Sequence, residues 1–343
     1  MRVSGIADVA ARAGVSKSTA SRALSGSGYV SPDTRDRVLA AAAALDYTPS
    51  RNAQSLTTGR TETVGVVLPY VNRWFFSEVL EGIQHALLER GLDLTLYDAK
   101  PGTPGRARIF NDYLARKRFD GLIAVGLEPE REELERMLSL GKPVVSVVGN
   151  DPRTSVIGVD DAEAGRRATQ HLLTLGHRDI VYLGATGTGR PHVESERLAG
   201  YTAAMGEAGL GDRVRHAPSS LSLPDGYAAA VDLLSDSERR PTAIVAACDE
   251  VAIGAIVAAR RLGILVPAQL SVIGIDDHEL ADMFSLTTLR QVPREQGIEA
   301  VDLLVGHFER PDAEPVTVKL KPRLVVRSST ASLGPSAAAM DAG

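Results

Sequence analysis

The sequence predicts an α/β protein: an N-terminal helix-turn-helix headpiece followed by two doubly wound α/β lobes. Three observations predict it. Two short amphipathic helical patterns joined by a glycine turn fill the first 25 residues. From Val64 onward, β-branched runs alternate with helical stretches, the pattern of parallel sheets covered on both faces. That alternation repeats in two blocks of about 110 residues, which predicts two lobes with a ligand crevice at strand carboxyl ends.

Each headpiece element has a local cause. Ile6, Val9, Ala10 and Ala13 share one helical face, and Gly14 ends that helix in the left-handed conformation. Ser16 reads as the N-cap of a second helix over 17–24, with Val15 as a staple and Ala20, Ala23 and Leu24 inward. A third helix has Ser31 as cap, Pro32 at its first position and Asp33 in its first turn; Val38, Leu39, Ala42 and Leu45 form its apolar face. Residues 50–57 form a further candidate helix, too short to be stable alone.

In the body, strands are expected at 64–69, 92–97, 121–126 and 143–148, then at 179–184, 213–216, 242–247 and 270–275. Helices are expected near 76–90, 105–118 and 130–140. The small, polar residues 328–343 read as a disordered tail.

Charge and composition narrow the function classes. Residues 1–60 hold eight basic and four acidic side chains, +4; the net charge of −5 leaves −9 for the rest. A basic head on an acidic body prompts nucleic acid. One cysteine, Cys248, excludes an intrachain disulfide, and no signal peptide or membrane-spanning run is read, so a cytoplasmic chain is expected. The seven histidines are scattered without metal-ligand spacing, and no cofactor is expected. The glycine-rich 184–189 lacks both the G-x-G-x-x-G order and a GK[ST], so nucleotide binding is disfavoured and a loop at the cleft rim is expected.

The outward face of the second helix carries Lys17, Ser18, Ser21 and Arg22 near its N-terminal half, the part that enters a major groove. Arginine and lysine can donate to guanine edges, and serine serves bases or phosphates. The motif DVAxxAGVSxxTxSRxL, followed by VSxxTRxxVxxAxxxLxYxPxxxAxxL, runs through residues 6–56 without a gap. This segment resembles the headpiece of the lac repressor (LacI/GalR) family of bacterial transcription regulators. The blocks ERLAGY (196–201), ACDEVAIGA (247–255), VPAQLSVIGIDD (266–277) and LTTLRQ (286–291) resemble that family's periplasmic-binding-protein-like effector domain.

The resemblance implies four regions: headpiece 1–49, hinge helix and linker 50–61, a two-lobed effector-binding and dimerisation domain 62–327, and the tail 328–343. It implies crossings between lobes near 159–162, 291–293 and 319–322. The tail lacks leucine heptads, so the tetramer-forming helix of the lac repressor is not supported. Lys17, Ser18 and Arg22 match base-reading positions; Ser16, Thr19, Ser21 and Thr34 match backbone-contacting ones. For Thr19 and Ser21 the simpler reading is solvent exposure. Tyr29 either touches phosphate or covers the bundle. Leu56 matches a leucine that wedges into the minor groove at a central CpG-like step, and Arg51, Asn52 and Gln54 are expected at backbone or groove edges, although Asn52 departs from the family's more usual small apolar residue.

For the effector, Arg197 and Asp276 match contacting positions, and a guanidinium and a carboxylate can each bridge adjacent hydroxyls. Arg197 is alternatively a helix-surface ion pair. Asp249 is either a helix cap or a ligand contact. Arg73, Trp74 and Phe75 follow the first strand in an aromatic-rich loop, with Phe76 as plain core; aromatic faces stack on sugars. Gly149 sits where some family members carry an acidic ligand residue.

Three function classes compete: an effector-controlled DNA-binding repressor, an exported sugar-binding protein and a Rossmann-like enzyme. The missing export signal rejects the second, and the missing catalytic or phosphate motif weakens the third. The expected partners are double-stranded operator DNA, a second copy of the chain in a homodimer and a sugar effector, with a purine-type corepressor as the alternative.

Overall fold

The computed structural model describes residues 5–26, 28–47, 60–116, 118–185 and 192–333. The headpiece is a three-helix cluster: α1 (Ile6–Ala13), α2 (Lys17–Ser25) and α3 (Pro32–Ala44). Gly14 takes φ 66° and closes α1. Ser16 Oγ accepts the Thr19 amide at 3.1 Å, satisfying one of the orphan donors of α2. Val9, Ala10, Ala20 and Val38 form the buried centre. Two expectations for α3 are corrected. Leu39 is exposed, and Ala41 takes the inward position. The Ser31 hydroxyl donates to Thr34 Oγ1 at 2.9 Å rather than capping the helix.

Lobe 1 is built on a six-stranded parallel sheet of β1 (Thr63–Leu68), β2 (Asp93–Asp98), β3 (Gly121–Val125), β4 (Val144–Val147), β5 (Ser155–Val159) and a late strand, β11 (Thr317–Leu320). Its order is β11-β5-β4-β3-β1-β2. The helices are α4 (Trp74–Glu89), α5 (Pro104–Arg108), α6 (Arg131–Leu138) and the late α11 (Pro293–Glu309). The single helix expected at 105–118 is instead α5, a π turn over Ile109–Tyr113 and a 3-10 turn over Leu114–Arg116.

Lobe 2 repeats the plan with α7 (Asp161–Thr174), β6 (Ile180–Leu183), α8 (His192–Glu207), β7 (Arg215–Ala217), α9 (Leu223–Ser235), β8 (Ala243–Ala246), α10 (Asp249–Arg261), β9 (Ser271–Asp276), β10 (Thr287–Arg290) and β12 (Arg323–Val325). Its sheet order is β12-β10-β9-β8-β6-β7, and only the β10–β12 pair is antiparallel. Successive strand residues point to opposite faces and both are buried, as Val66 and Val67 in lobe 1 and Ile244 and Val245 in lobe 2 show, which doubly covered sheets require. Sequence periodicity missed β5, β10, β11 and β12, the strands that flank the crossings.

The chain passes between lobes three times: from β5 to α7, from β10 to α11, and from β11 to β12. These are the crossings expected near 159–162, 291–293 and 319–322. Glycine pairs let helices touch through their backbones on each side. In lobe 2, a Cβ at Gly165 would fall 2.0 Å from the Arg197 carbonyl oxygen, and one at Gly200 1.9 Å from that of Ala162.

The tail expectation is corrected for residues 328–333. Ser329 Oγ accepts the Thr287 amide at 2.8 Å and donates to the Val272 carbonyl at 2.6 Å. The Ala331 amide donates to Ser271 Oγ at 3.1 Å. Small polar side chains here close the edge of lobe 2, which composition alone does not reveal.

Candidate effector cleft and nucleic-acid interface

On the headpiece, Lys17, Ser18 and Arg22 are exposed along α2, and Thr19 and Ser21 are partly so. Arg22 Nε donates to the Ser18 carbonyl at 3.2 Å, which lays the guanidinium along the helix. Tyr29 is 90% exposed, so it does not cover the bundle. Thr34 is half-buried in the first turn of α3. Ser50, Arg51, Asn52, Gln54 and Leu56, with the expected hinge helix, lie outside the described residues, as do residues 186–189 of the glycine-rich loop. The linker enters lobe 1 through a carboxylate clamp, where the amides of Thr61 and Glu62 donate to Asp120 at 2.9 and 2.8 Å.

A cavity of about 780 Å³ lies between the lobes. Lobe 1 contributes Tyr70, Arg73, Trp74, Phe75 and Phe76. The aromatic trio is not in a strand-end loop; it is the first turn of α4, with Arg73 as its N-cap residue. Phe76 is not plain core. It is half-buried, lines the cavity, and packs edge-on against Tyr70 and Phe75 at 5.9 and 5.4 Å between ring centroids. The Arg73 guanidinium lies over the Tyr70 ring at 4.1 Å. Trp74 reaches across the cleft to His278, with 4.8 Å between ring centroids.

Lobe 2 supplies a buried charge network. Arg197 Nε donates to Asp161 Oδ1 at 2.8 Å, and Arg197 Nη1 donates to the Ala247 carbonyl at 2.5 Å and stands 3.8 Å from Asp276 Oδ1. It is therefore no helix-surface pair: its side chain is 6% exposed. Burial opposes its charge, but the Asp161 and Asp276 carboxylates outweigh burial and hold the guanidinium above its ordinary range. Burial pushes Asp276 up despite Arg197 and the Gln291 amide beside it. Burial also keeps the Cys248 thiol, in the cavity wall, well above its ordinary range and so neutral.

The ligand reading of Asp249 is corrected. Asp249 is fully buried behind the wall, where Oδ1 accepts the Thr288 hydroxyl at 2.7 Å and Oδ2 accepts the His278 amide at 2.9 Å. Both oxygens are committed to holding β10 and the His278 loop. Burial and the Asp276 charge push its pKa far up. The Leu280 amide donates to His278 Nδ1 at 3.0 Å, which places the ring proton on Nε2.

Residues 5–50 match the family described as bacterial regulatory proteins, lacI family, and residues 169–330 match a periplasmic binding protein-like domain. The HTH-type transcriptional repressor PurR of Vibrio campbellii is 32% identical over 333 residues, 96% of this chain and 99% of that protein. The chain belongs to the lacI family. Among solved structures, the lac repressor dimer bound to operator and the anti-inducer ONPF aligns with a TM-score of 0.85 at 26% identity, covering 96% of this chain and 100% of that one. A CelR–cellobiose complex aligns at 0.70 with 30% identity, covering 95% and 99%. As a lacI-family protein, this chain is a DNA-binding transcriptional repressor with an effector-binding domain; the relatives are regulators rather than enzymes.

Within this lacI-family cleft the structure gathers Arg73, Trp74, Phe75, Arg197 and Asp276, and leaves Asp249 behind the wall. Sequence reasoning missed Asp161, Glu250, His278 and Gln291, which also line it. Asp161 follows the first crossing, and its partner Arg197 is 36 residues away, so no local pattern marks the pair. Among the described residues there is no cluster that could hold a metal ion, and no helix is long and apolar enough to cross a membrane.

Proposed function

We propose that this repressor controls a sugar uptake or catabolism operon, binds a palindromic operator as a homodimer, and responds to a neutral sugar in the interlobe cleft. The observation that carries the effector reading is the pairing of an aromatic wall with two carboxylates that line the cleft. Arg197 is engaged by Asp161, and Arg106, the lobe 1 cation in the cavity wall, by Glu133 at 2.6 Å. The carboxylates of Asp161 and Asp276 can accept sugar hydroxyls beside the rings of Trp74, Phe75 and Phe76. The CelR complex holds cellobiose, which supports a sugar. The similarity to PurR supports a second reading, a purine-type corepressor, because the same rings can stack on a flat base. A thermal-shift screen of neutral sugars, sugar phosphates and purines tests the choice: ligand at 100 times its Kd adds about 2.7 kcal/mol. Stabilisation by purines alone would overturn the sugar reading.

On DNA, Lys17, Ser18 and Arg22 read bases, and Ser16, Thr19, Ser21, Tyr29 and Thr34 contact the backbone. The exposure of Ser16, Lys17, Ser18, Arg22 and Tyr29 supports this. Arg51 and Asn52 contact the groove or backbone and Leu56 wedges the centre of the site. The headpiece spans 1–49, the hinge and linker 50–61, and the effector domain continues from 62 through 333. A short reading helix favours two inverted half-sites on a two-fold dimer. Footprinting is expected to reveal an inverted repeat with a central CG step, and Leu56→Ala to reduce both affinity and bend angle. An asymmetric footprint would overturn the dimer reading.

A further inference from the structure

We infer that Gln291 and Gln296 relay the state of Asp276 from the cleft into lobe 1. The inference rests on the reading that the cleft holds an effector and concerns how that site is coupled to the rest of the chain.

Asp276 ends β9 in lobe 2 and faces the cavity with the unusual backbone φ of 138°. Gln291 lies on the second crossing and also lines the cavity. Its Nε2 donates to Asp276 Oδ1 at 2.5 Å, and its backbone amide donates to the Asp276 carbonyl at 3.2 Å. Its own Oε1 accepts Gln296 Nε2 at 3.2 Å. Gln296 stands in the first turn of α11, which belongs to lobe 1, and is fully buried. Two hydrogen bonds between side chains therefore run from a cleft carboxylate to the interior of the opposite lobe.

What α11 feels, α4 feels. A Cβ at Gly297 would lie 2.2 Å from the Val79 carbonyl oxygen, so the two helices are in backbone contact and move together. The N-terminal turn of α4 carries Trp74, Phe75 and Phe76 into the same cavity. The chain thus closes a loop from one cleft wall, through the crossing, to the other wall.

The chemistry of Gln296 argues that this link has two arrangements. Its Oε1 is buried and has no hydrogen-bond partner. Packing alone would favour leucine or methionine at such a position, because an unpaired buried acceptor is penalised. A glutamine there makes sense when a second arrangement gives Oε1 a partner. A ligand hydroxyl that takes Asp276 Oδ1 displaces the Gln291 amide, which frees the Gln291–Gln296 pair to rearrange and shifts α11. Differential contact with two arrangements is what allosteric coupling requires.

Hydrogen exchange of the full-length, ligand-free protein tests this without an effector. Asp276→Ala removes the acceptor of the Gln291 amide and is expected to raise exchange several-fold in peptides covering 294–300 of lobe 1. In a Gln291→Leu background the same change is expected to add nothing there. Should Asp276→Ala fail to fold, Gln291→Leu and Gln296→Met replace it, and their effects on 294–300 must be non-additive. Changes confined to lobe 2, or additive effects, overturn the relay. Because no ligand enters the experiment, its failure leaves the sugar reading standing, and a failed ligand screen leaves the relay testable.

Discussion

Arg197 Nε stands 2.8 Å from Asp161 Oδ1, so a guanidinium on α8 grips the first residue of the helix through which the chain enters lobe 2. The bridge is buried on both sides, with side chains 6% and 11% exposed. Removing one partner of such a pair strands the other charge, at about 3–5 kcal/mol. Asp161→Ala is expected to lower the unfolding free energy by about that amount in urea titrations. Asp161→Ala combined with Arg197→Leu should recover part of the loss. A single variant as stable as the parent would show that water reaches the pair.

The helix contact beneath that bridge gives a second expectation. Gly165→Ala places a methyl 2.0 Å from the Arg197 carbonyl oxygen, forcing α7 and α8 apart. Overpacking of this kind costs about 1–3 kcal/mol. Gly206→Ala, in the same α8 but with nothing within 4 Å, is expected to stabilise by about 0.5–1 kcal/mol. Thermal melts of the two variants should move in opposite directions.

Stability should also depend on pH through Asp249. Its pKa is raised from 3.8 to about 8, chiefly by burial. Below 3.8 both folded and unfolded chains hold the proton and there is no effect. As pH rises, the unfolded chain ionises first, so stability falls until about pH 8, above which the loss is complete. His171, His177 and His278, lowered by burial, act oppositely below pH 6.5, where stability falls as pH falls. The informative quantity is the difference between Asp249→Asn and parent. Tm measured from pH 5 to 8 should favour the variant increasingly toward pH 8. A constant difference would mean that Asp249 is ionised throughout.

Headpiece variants should separate reading from folding. Arg22 is exposed and, among the described residues, bonds to its own helix, so Arg22→Ala should leave stability within about 0.5 kcal/mol. Operator affinity should drop by about 1–3 kcal/mol with relaxed selectivity at one base pair per half-site. Ser16→Ala removes the cap on Thr19 and should cost about 1 kcal/mol of headpiece stability. Equal losses on operator and random DNA would mark Arg22 as a phosphate contact.

The headpiece was largely legible because its determinants are local: a left-handed glycine, a serine cap and an apolar face all lie within a few residues of what they control. Leu39 was misplaced because α3 packs through Ala41 and Ala42, small residues whose pattern is weak against leucine. In the cleft, Arg197 and Asp276 were found by resemblance, while Asp161, His278 and Gln291 were not. Their roles depend on partners brought close only by the crossings, and Trp74 meets His278 from the other lobe. Asp249 was ambiguous for the same reason. A carboxylate at a helix start is equally suited to solvent, ligand or interior, and only the Thr288 and His278 partners decide.

The three crossings also set the order in which the molecule can be completed during synthesis. Strand β5 leaves the ribosome long before β11, its neighbour in the sheet, whose pairing joins Val156 to Thr317. The helix that packs its Val301 and Leu304 onto lobe 1 likewise emerges only after most of lobe 2. A nascent chain therefore carries an N-terminal lobe with an unpaired strand edge and an uncovered apolar face while lobe 2 is being made. Exposed edges of this kind invite aggregation. Chains terminated before residue 293 would lack the closing pieces of the first lobe as well as the end of the second.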